Sequence, residues 1–274
     1  VALNFNEWMM NIGMPEDVQP LVAVPMDTDV YQYWKNLFET DFLLFMENLR
    51  RRKDADEFAL RVYSRFAYDA HTSFQRRGIS DQIYYDTCSD IAIWCRDAYE
   101  KTGKWGLHEQ EWVSKSIKQQ LYRIGRLQYE PLTESNDELK QMFLPECDLS
   151  VYTKILNVHI PAEEPLTPEE VSASMHSARK LFPDADCMVC VSWLLSPELQ
   201  LLLPAGSNIL SFQKRFHVVK TIHPFRQAEE RVFGCIKKDI SSYSENTYLQ
   251  KTLKKYLLDK KEPGIGLGCL ALCK

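Results

Sequence analysis

A change of period near residue 120 constrains this chain more than any other feature of its sequence. Before it, apolar residues recur every three or four positions; after it, they alternate with polar ones or run continuously for strand-length stretches. A chain that switches once, with long stretches on either side, folds as two differently built halves. The 274 residues are enough for two such halves, each with its own core.

The first half predicts helix after helix. Residues 30–51 carry Val30, Trp34, Leu37, Phe38, Phe42, Phe45 and Leu49 at helical spacing. Asp29 is the expected N-cap, and the basic run from Arg50 to Lys53 suits the negative end of the helix dipole. A second helix over 58–77 stops at Gly78, and a third over 80–102 is capped by Ser80 and stopped by Gly103. A fourth, over 107–120, sets Trp112, Val113 and Ile117 on one side.

The second half begins with strict alternation over 121–129, a half-buried strand, and a second β segment over 151–160. Thr167-Pro168-Glu169-Glu170 then opens a helix, with Thr at the N-cap, Pro at N1 and Glu at N3, the pattern of a capping box. Its apolar stripe is Val171, Met175, Ala178 and Leu181. Residues 188–195 form a continuous apolar run, as in a central strand buried on both faces. A short helix from Ser196, a helix over 207–216, a strand over 217–222, a helix over 247–258 and a Gly-punctuated strand over 265–272 complete the order. The expected fold class is α+β: an all-helical domain over 1–118, then a mixed α/β sandwich over 119–274.

Charge narrows the function. Lys and Arg number 33 against 38 Asp and Glu, a net charge of −5, so no basic surplus is available to hold nucleic acid. The eight Cys sit largely in apolar runs and are expected as reduced, buried thiols. Cys187 and Cys190 would face opposite sides of a strand, Cys269 and Cys273 the same side, and no second ligand pair accompanies either, so no metal is expected. The sequence contains neither a signal-peptide pattern nor an apolar run of about 18 residues, which leads to the expectation of a cytoplasmic protein without membrane partners.

No G-x-S-x-G elbow surrounds Ser192, and no phosphate-cradling glycine loop occurs. Gly264-x-Gly266-x-Gly268 follows a helix rather than leading into one and reads as a close backbone approach. His159, at a strand end beside Pro161, is either a general base at a ligand-binding edge or a histidine bracing that turn.

Longer runs are more specific. They are 156–162 (LNVHIPA), Pro165-Leu166-Thr167-Pro168-Glu169, Ser192-Trp193-Leu194-Leu195-x-Pro197, and 207–216 with Ser207-Asn208-Ile209-Leu210-x-Phe212-Gln213-x-x-Phe216. Together with 124–129 (IGRLQY), they resemble the GNAT-like acyltransferase family of Firmicutes, whose members join a helical N-terminal domain to a GNAT-like C-terminal domain. The resemblance implies transfer of an acyl group from acyl-CoA or acetyl-CoA to the amine of a small-molecule or peptide acceptor. It implies His159 as base, and Ser192 and Asn208 as donors to the thioester oxygen or leaving thiolate. Ile160, Ala162, Thr167, Trp193, Phe212 and Gln213 would line the substrate or cofactor site. In place of the glycine- and arginine-bearing turn that such domains use for pyrophosphate, this chain has an acidic 163–170 segment. The alternative is therefore a non-catalytic GNAT-like module that binds a ligand or peptide.

Overall fold

The computed structural model describes residues 4–133 and 136–272. It divides into two compact units, Val1–Arg123 and Ile124–Lys274.

The first unit is helical: α1 (Phe5–Asn11), α2 (Gln19–Ala23), α3 (Thr28–Thr40), α4 (Phe42–Arg50), α5 (Ala55–Arg76), α6 (Asp81–Thr102) and α7 (Gln110–Ile117). The expected helix over 30–51 is two helices. Asp41 leaves helical geometry (φ −145°, ψ 78°), and its carboxylate accepts the Leu44 N–H at 3.0 Å, capping α4 where the apolar pattern runs on in phase. Asp27 rather than Asp29 caps α3, accepting from the N–H groups of Asp29 and Val30. Gly78 and Gly103 end α5 and α6 at φ +73° and +70°, as expected of helix-stopping glycines. Phe45 is fully buried and lies within 6.3 Å, centroid to centroid, of Trp34, Phe38, Phe42, Tyr63 and Phe66. Interlocked rings of this kind contribute about 0.5–1.5 kcal/mol per pair beyond their buried area.

The second unit is built on a mixed sheet, confirming the α+β expectation. The strands of the sheet are β1 (Tyr122–Ile124), whose last residue opens the second unit, β2 (Leu127–Pro131), β3 (Ile155–His159), β4 (Cys187–Ser192), β5 (His217–Ile222) and β6 (Ile265–Ala271), in the spatial order β1-β2-β3-β4-β6-β5. The alternating run 121–129 is a hairpin rather than one strand, because Gly125 turns the chain at φ +63°. The helices are α8 (Asp137–Phe143), α9 (Pro168–Leu181), α10 (Leu199–Leu202), α11 (Asn208–Gln213), α12 (Gln227–Phe233) and α13 (Tyr248–Leu258). The run expected as a strand over 188–195 stops at Ser192 and continues as a 3-10 turn, Trp193–Leu195.

That turn explains the glycine stripe. A Cβ on Gly266 would lie 2.3 Å from the Leu195 carbonyl oxygen, and one on Gly268 would lie 2.8 Å from Leu195 Cδ1 and Phe216 Cβ. The turn after β4 therefore seats directly on β6. On the other face, Phe143, Leu149, Ile155, Cys187, Val189, Ile265, Leu267 and Cys269 form one apolar cluster. The seven described cysteines are free thiols, and Cys273 lies outside the described residues. Burial pushes the thiols of Cys187 and Cys269 up to about 12 and about 11. Among the described residues no helix is long and apolar enough to cross a membrane, and no His/Cys/Asp/Glu group could hold a metal ion.

Candidate active site

Strands β3 and β4 run parallel and pair at three positions, Ile155↔Cys187, Leu156↔Met188 and Asn157↔Val189. Both strands continue, β3 to His159 and β4 to Ser192, but no further β3–β4 pair follows among the described residues. The two strands stop pairing at this point, in the middle of the sheet.

Beside the end of this ladder lies a row of polar side chains on one sheet face. Strand alternation puts Gln128 and Glu130 on one face of β2, and Asn157 and His159 on one face of β3. The antiparallel register pairs Gln128 with His159 and Glu130 with Asn157, so all four share that face. Gln128, Glu130 and Asn157 are only 4%, 6% and 6% exposed. His159 Nε2 lies 2.9 Å from Glu130 Oε2, and Asn157 Nδ2 lies 3.4 Å from the same oxygen and 3.1 Å from His159 Nε2. Since the amide Nδ2 can only donate, a carboxylate at Glu130 accepts from both neighbours. The Nε2–H···Oε2 bond then fixes the imidazole tautomer and ring plane. Asn157 Oδ1 is buried with no hydrogen-bond partner among the described residues. An acceptor left so costs about 1–3 kcal/mol.

The structure separates the other residues singled out in the sequence. By alternation Ser192 faces the opposite side of the sheet from His159, and its Oγ accepts the Leu194 N–H at 3.1 Å, capping the 3-10 turn. Half-buried Trp193 packs against the apolar cluster described above and against a second one that includes Leu199, Leu210, Tyr243 and Leu253. Gln213 is a buried brace: its Nε2 donates to the Ser196 carbonyl at 2.8 Å, and its Oε1 accepts from Gln200 Nε2 at 2.9 Å. With Gln200, Lys214 and His217 it borders a separate cavity of about 240 Å³. Phe212 is a core residue with its ring tilted against that of Phe216, and Asn208 is exposed at the start of α11.

Ile160, half-buried, and Ala162, exposed, lie in the loop between β3 and α9. Thr167 caps α9 by accepting the Glu170 N–H at 3.3 Å. The reciprocal half of the capping box is replaced, since Glu170 Oε2 accepts from the Thr167 hydroxyl at 2.6 Å. Two guanidinium groups reach this loop from elsewhere. Arg126 donates to the carbonyls of Glu164 and Pro165 at 2.6 and 2.9 Å, and Arg215 donates to the Pro168 carbonyl at 2.8 Å. Positive charge thus arrives at the loop from the β1–β2 turn and the end of α11, while Glu163, Glu164, Glu169 and Glu170 are exposed. Glu130, Asn157 and Arg126 were not anticipated, although their alternation with apolar residues marked each as pointing away from its apolar neighbours.

Comparison with known proteins gives this arrangement its context. Residues 4–118 match the model of an N-acyltransferase N-terminal domain, and residues 121–270 that of a GNAT-like C-terminal domain. No curated protein matches. Among solved structures, an acyltransferase in complex with decanoyl-CoA and teicoplanin superposes with a TM-score of 0.76 at 20% identity, covering 98% of this chain and 87% of that one. An acyltransferase in complex with CoA and 10C-teicoplanin gives the same values, and one in complex with decanoyl-CoA gives 0.75 at 19%, with the same coverage. These likenesses show a shared fold. With the two domain models lying in this order along its length, the chain belongs to the GNAT-like N-acyltransferases.

Proposed function

We propose that the protein transfers an acyl group from acyl-CoA to the amine of a small-molecule or peptide acceptor, in the cytoplasm. The observation that carries this reading is the early end of the β3–β4 ladder beside half-buried His159 and its buried partner Glu130. An extended thioester needs a slot between strands, and an amine needs a base beside it. The solved structures of like fold that hold CoA or decanoyl-CoA support acyl-CoA as donor, and those named for teicoplanin and 10C-teicoplanin support a bulky acceptor.

In this reading the acceptor nitrogen uses its lone pair to form a C–N bond to the thioester carbon, and the C–S bond breaks. His159 takes the proton from nitrogen through the ring nitrogen that Glu130 does not hold. The proton then passes to the departing thiolate, giving amide and free CoA thiol. Glu130 supports the charged imidazole throughout. Ser192, on the far face and engaged in a cap, is positioned to steady the turn after β4, and Asn208 lies at an exposed helix start. Arg126 and Arg215, together with Ile160, Ala162 and Thr167, are the groups nearest the expected pyrophosphate end.

The exposed carboxylates of 163–170 favour a second reading, a binding module without catalysis. Calorimetric titration with CoA, acetyl-CoA and decanoyl-CoA, followed by a thiol-release assay with an amine, separates the two. The transferase reading expects binding and amine-dependent release of CoA thiol. Absence of binding by all three thioester-pathway ligands would overturn it.

A further inference from the structure

A second cluster of reactive side chains lies on this sheet, away from the polar row. The antiparallel β4–β6 register pairs Cys187 with Ala271 and Val189 with Cys269, so the two cysteines sit diagonally on one face. Phe143 and Leu149 are buried against them, and half-buried Cys147 packs on the same cluster. Three thiols thus come together where the segment between α8 and β3 crosses the sheet.

That segment is held by contacts that do not involve sulfur. Lys220 of β5 donates to the Leu144 carbonyl at 2.9 Å and pairs with Glu146 at 3.2 Å, while the Cys147 N–H donates to the Phe143 carbonyl at 2.9 Å. The same Lys220 stands opposite Leu267, two residues before Cys269 in β6. Cys147 is therefore fixed over β6 whatever the state of its thiol.

The possible pairs are not equivalent. Diagonal positions across an antiparallel ladder lie about 7–8 Å apart between Cα atoms, at or beyond the reach of a disulfide, which sets Cys187 and Cys269 aside. The Cys147 thiol lies beside that of Cys269, close enough to add to the upward push that burial gives it. Cys269 is 9% exposed and Cys187 fully buried, so a reagent arriving from solvent meets Cys147 first.

We infer that Cys147 and Cys269 are a redox pair: a small-molecule disulfide attaches at Cys147, and Cys269 resolves the adduct into an internal disulfide. The Cys147 thiolate attacks one sulfur of the small disulfide, whose S–S bond breaks and releases one small thiol. Cys269 gives up its proton and attacks the Cys147 sulfur, forming the internal bond and releasing the second small thiol. Two protein thiols are oxidised by two electrons and one small disulfide is reduced to two thiols. The inference is independent of the acyltransferase reading.

The test uses the full chain, first reduced and then exposed at pH 8 to oxidised glutathione. Samples are trapped in acid, digested without reduction and mapped by mass spectrometry. A glutathione adduct on Cys147 should appear first and give way to a peptide linked through Cys147 and Cys269, and dithiothreitol should return both thiols. Cys269→Ser should stop at the Cys147 adduct, Cys147→Ser should form no internal bond, and Cys187→Ser should form it as the wild type does. The linked form should unfold at a higher urea concentration than the reduced form, because the bond closes a stretch of roughly 120 residues. A Cys147 adduct that persists in the wild type, a bond from Cys147 to Cys187, or reaction confined to exposed Cys235 would overturn the inference. So would a linked form less stable than the reduced one, since the two sulfurs would then have to leave their native places to meet.

Discussion

On one side strand β4 is paired with β6 along its whole length, from Cys187↔Ala271 to Ser192↔Gly266, whereas on the other it is paired with β3 for only half of it. The closed seam is also the tightly packed one, because Gly266 and Gly268 let Leu195 and Phe216 rest on the β6 backbone. The open seam has a polar row instead, with a buried carboxylate and an orphaned acceptor. The difference shows how a sheet can end one ladder early in its centre without losing its shape. One edge of β4 is fixed by an uninterrupted ladder and by close backbone packing, so the other edge can go without a partner and keep a fixed position. Consistency of packing on one side permits a departure from it on the other, and such departures mark functional ground.

The largest expected effect belongs to the open seam. His159→Ala should lower amine acylation by roughly 10²–10⁴, the loss typical of a missing general base, far beyond the modest loss of stability expected from taking a partner from buried Glu130. Turnover and melting temperature measured on the same variant decide the matter. Normal turnover with a loss of about 1 kcal/mol in stability would make His159 a brace for the Pro161 turn and strip the open seam of its chemistry.

The closed seam should fail in the opposite currency. Gly266→Ala forces a Cβ to within 2.3 Å of the Leu195 backbone, so about 1–3 kcal/mol of stability or more should be lost in urea titration. A variant as stable as the wild type would show that the turn after β4 can lift away, and that the contrast between the seams is not what fixes the open one. Ser174→Ala is a milder cut on the same principle. The Ser174 hydroxyl donates to the Ile124 carbonyl, accepts the Leu127 N–H at 3.3 Å and bonds the Tyr129 hydroxyl at 2.9 Å, tying α9 to the hairpin. Its removal should cost about 1–3 kcal/mol, read as a lowered urea midpoint.

The smallest effect is one of labelling. At pH 8, brief iodoacetamide treatment of the native protein should modify exposed Cys235 and spare Cys187 and Cys190, whose thiols burial holds in the protonated form. As pH rises toward 12, Cys187 labelling should increase. Early modification of Cys190, mapped by mass spectrometry, would show that reagent passes through the open seam to the far side of β4.

Local chemistry was legible in the sequence; relations across the sheet were not. Thr167-Pro168 announced the start of α9 because cap and N1 preferences act within a single turn. Asp41 escaped notice, since Phe38, Phe42 and Phe45 keep helical phase straight through the break. His159 was visible as a strand-end histidine. Its partners were not, because Glu130 and Asn157 gain their meaning from a register that pairs residues 27 positions apart. Alternation says that each faces away from its apolar neighbours, but only the pairing says that they face the same way. Ser192 was grouped with His159 because both end strands, and its opposite orientation follows from a parity that only the β3–β4 register sets.

The place of β6 has a further consequence, for biosynthesis. Although it comes last among the strands in the order of the chain, it lies between β4 and β5 in the sheet. During synthesis β5 therefore emerges with no strand to join, and it waits until residues 265–271 have been made. At roughly 5–20 residues per second that interval lasts several seconds, through which the apolar edge of β4 is also uncovered. An interrupted message ending anywhere after β5 but before β6 would release a chain with two unpaired edges, a ready substrate for aggregation and for quality control.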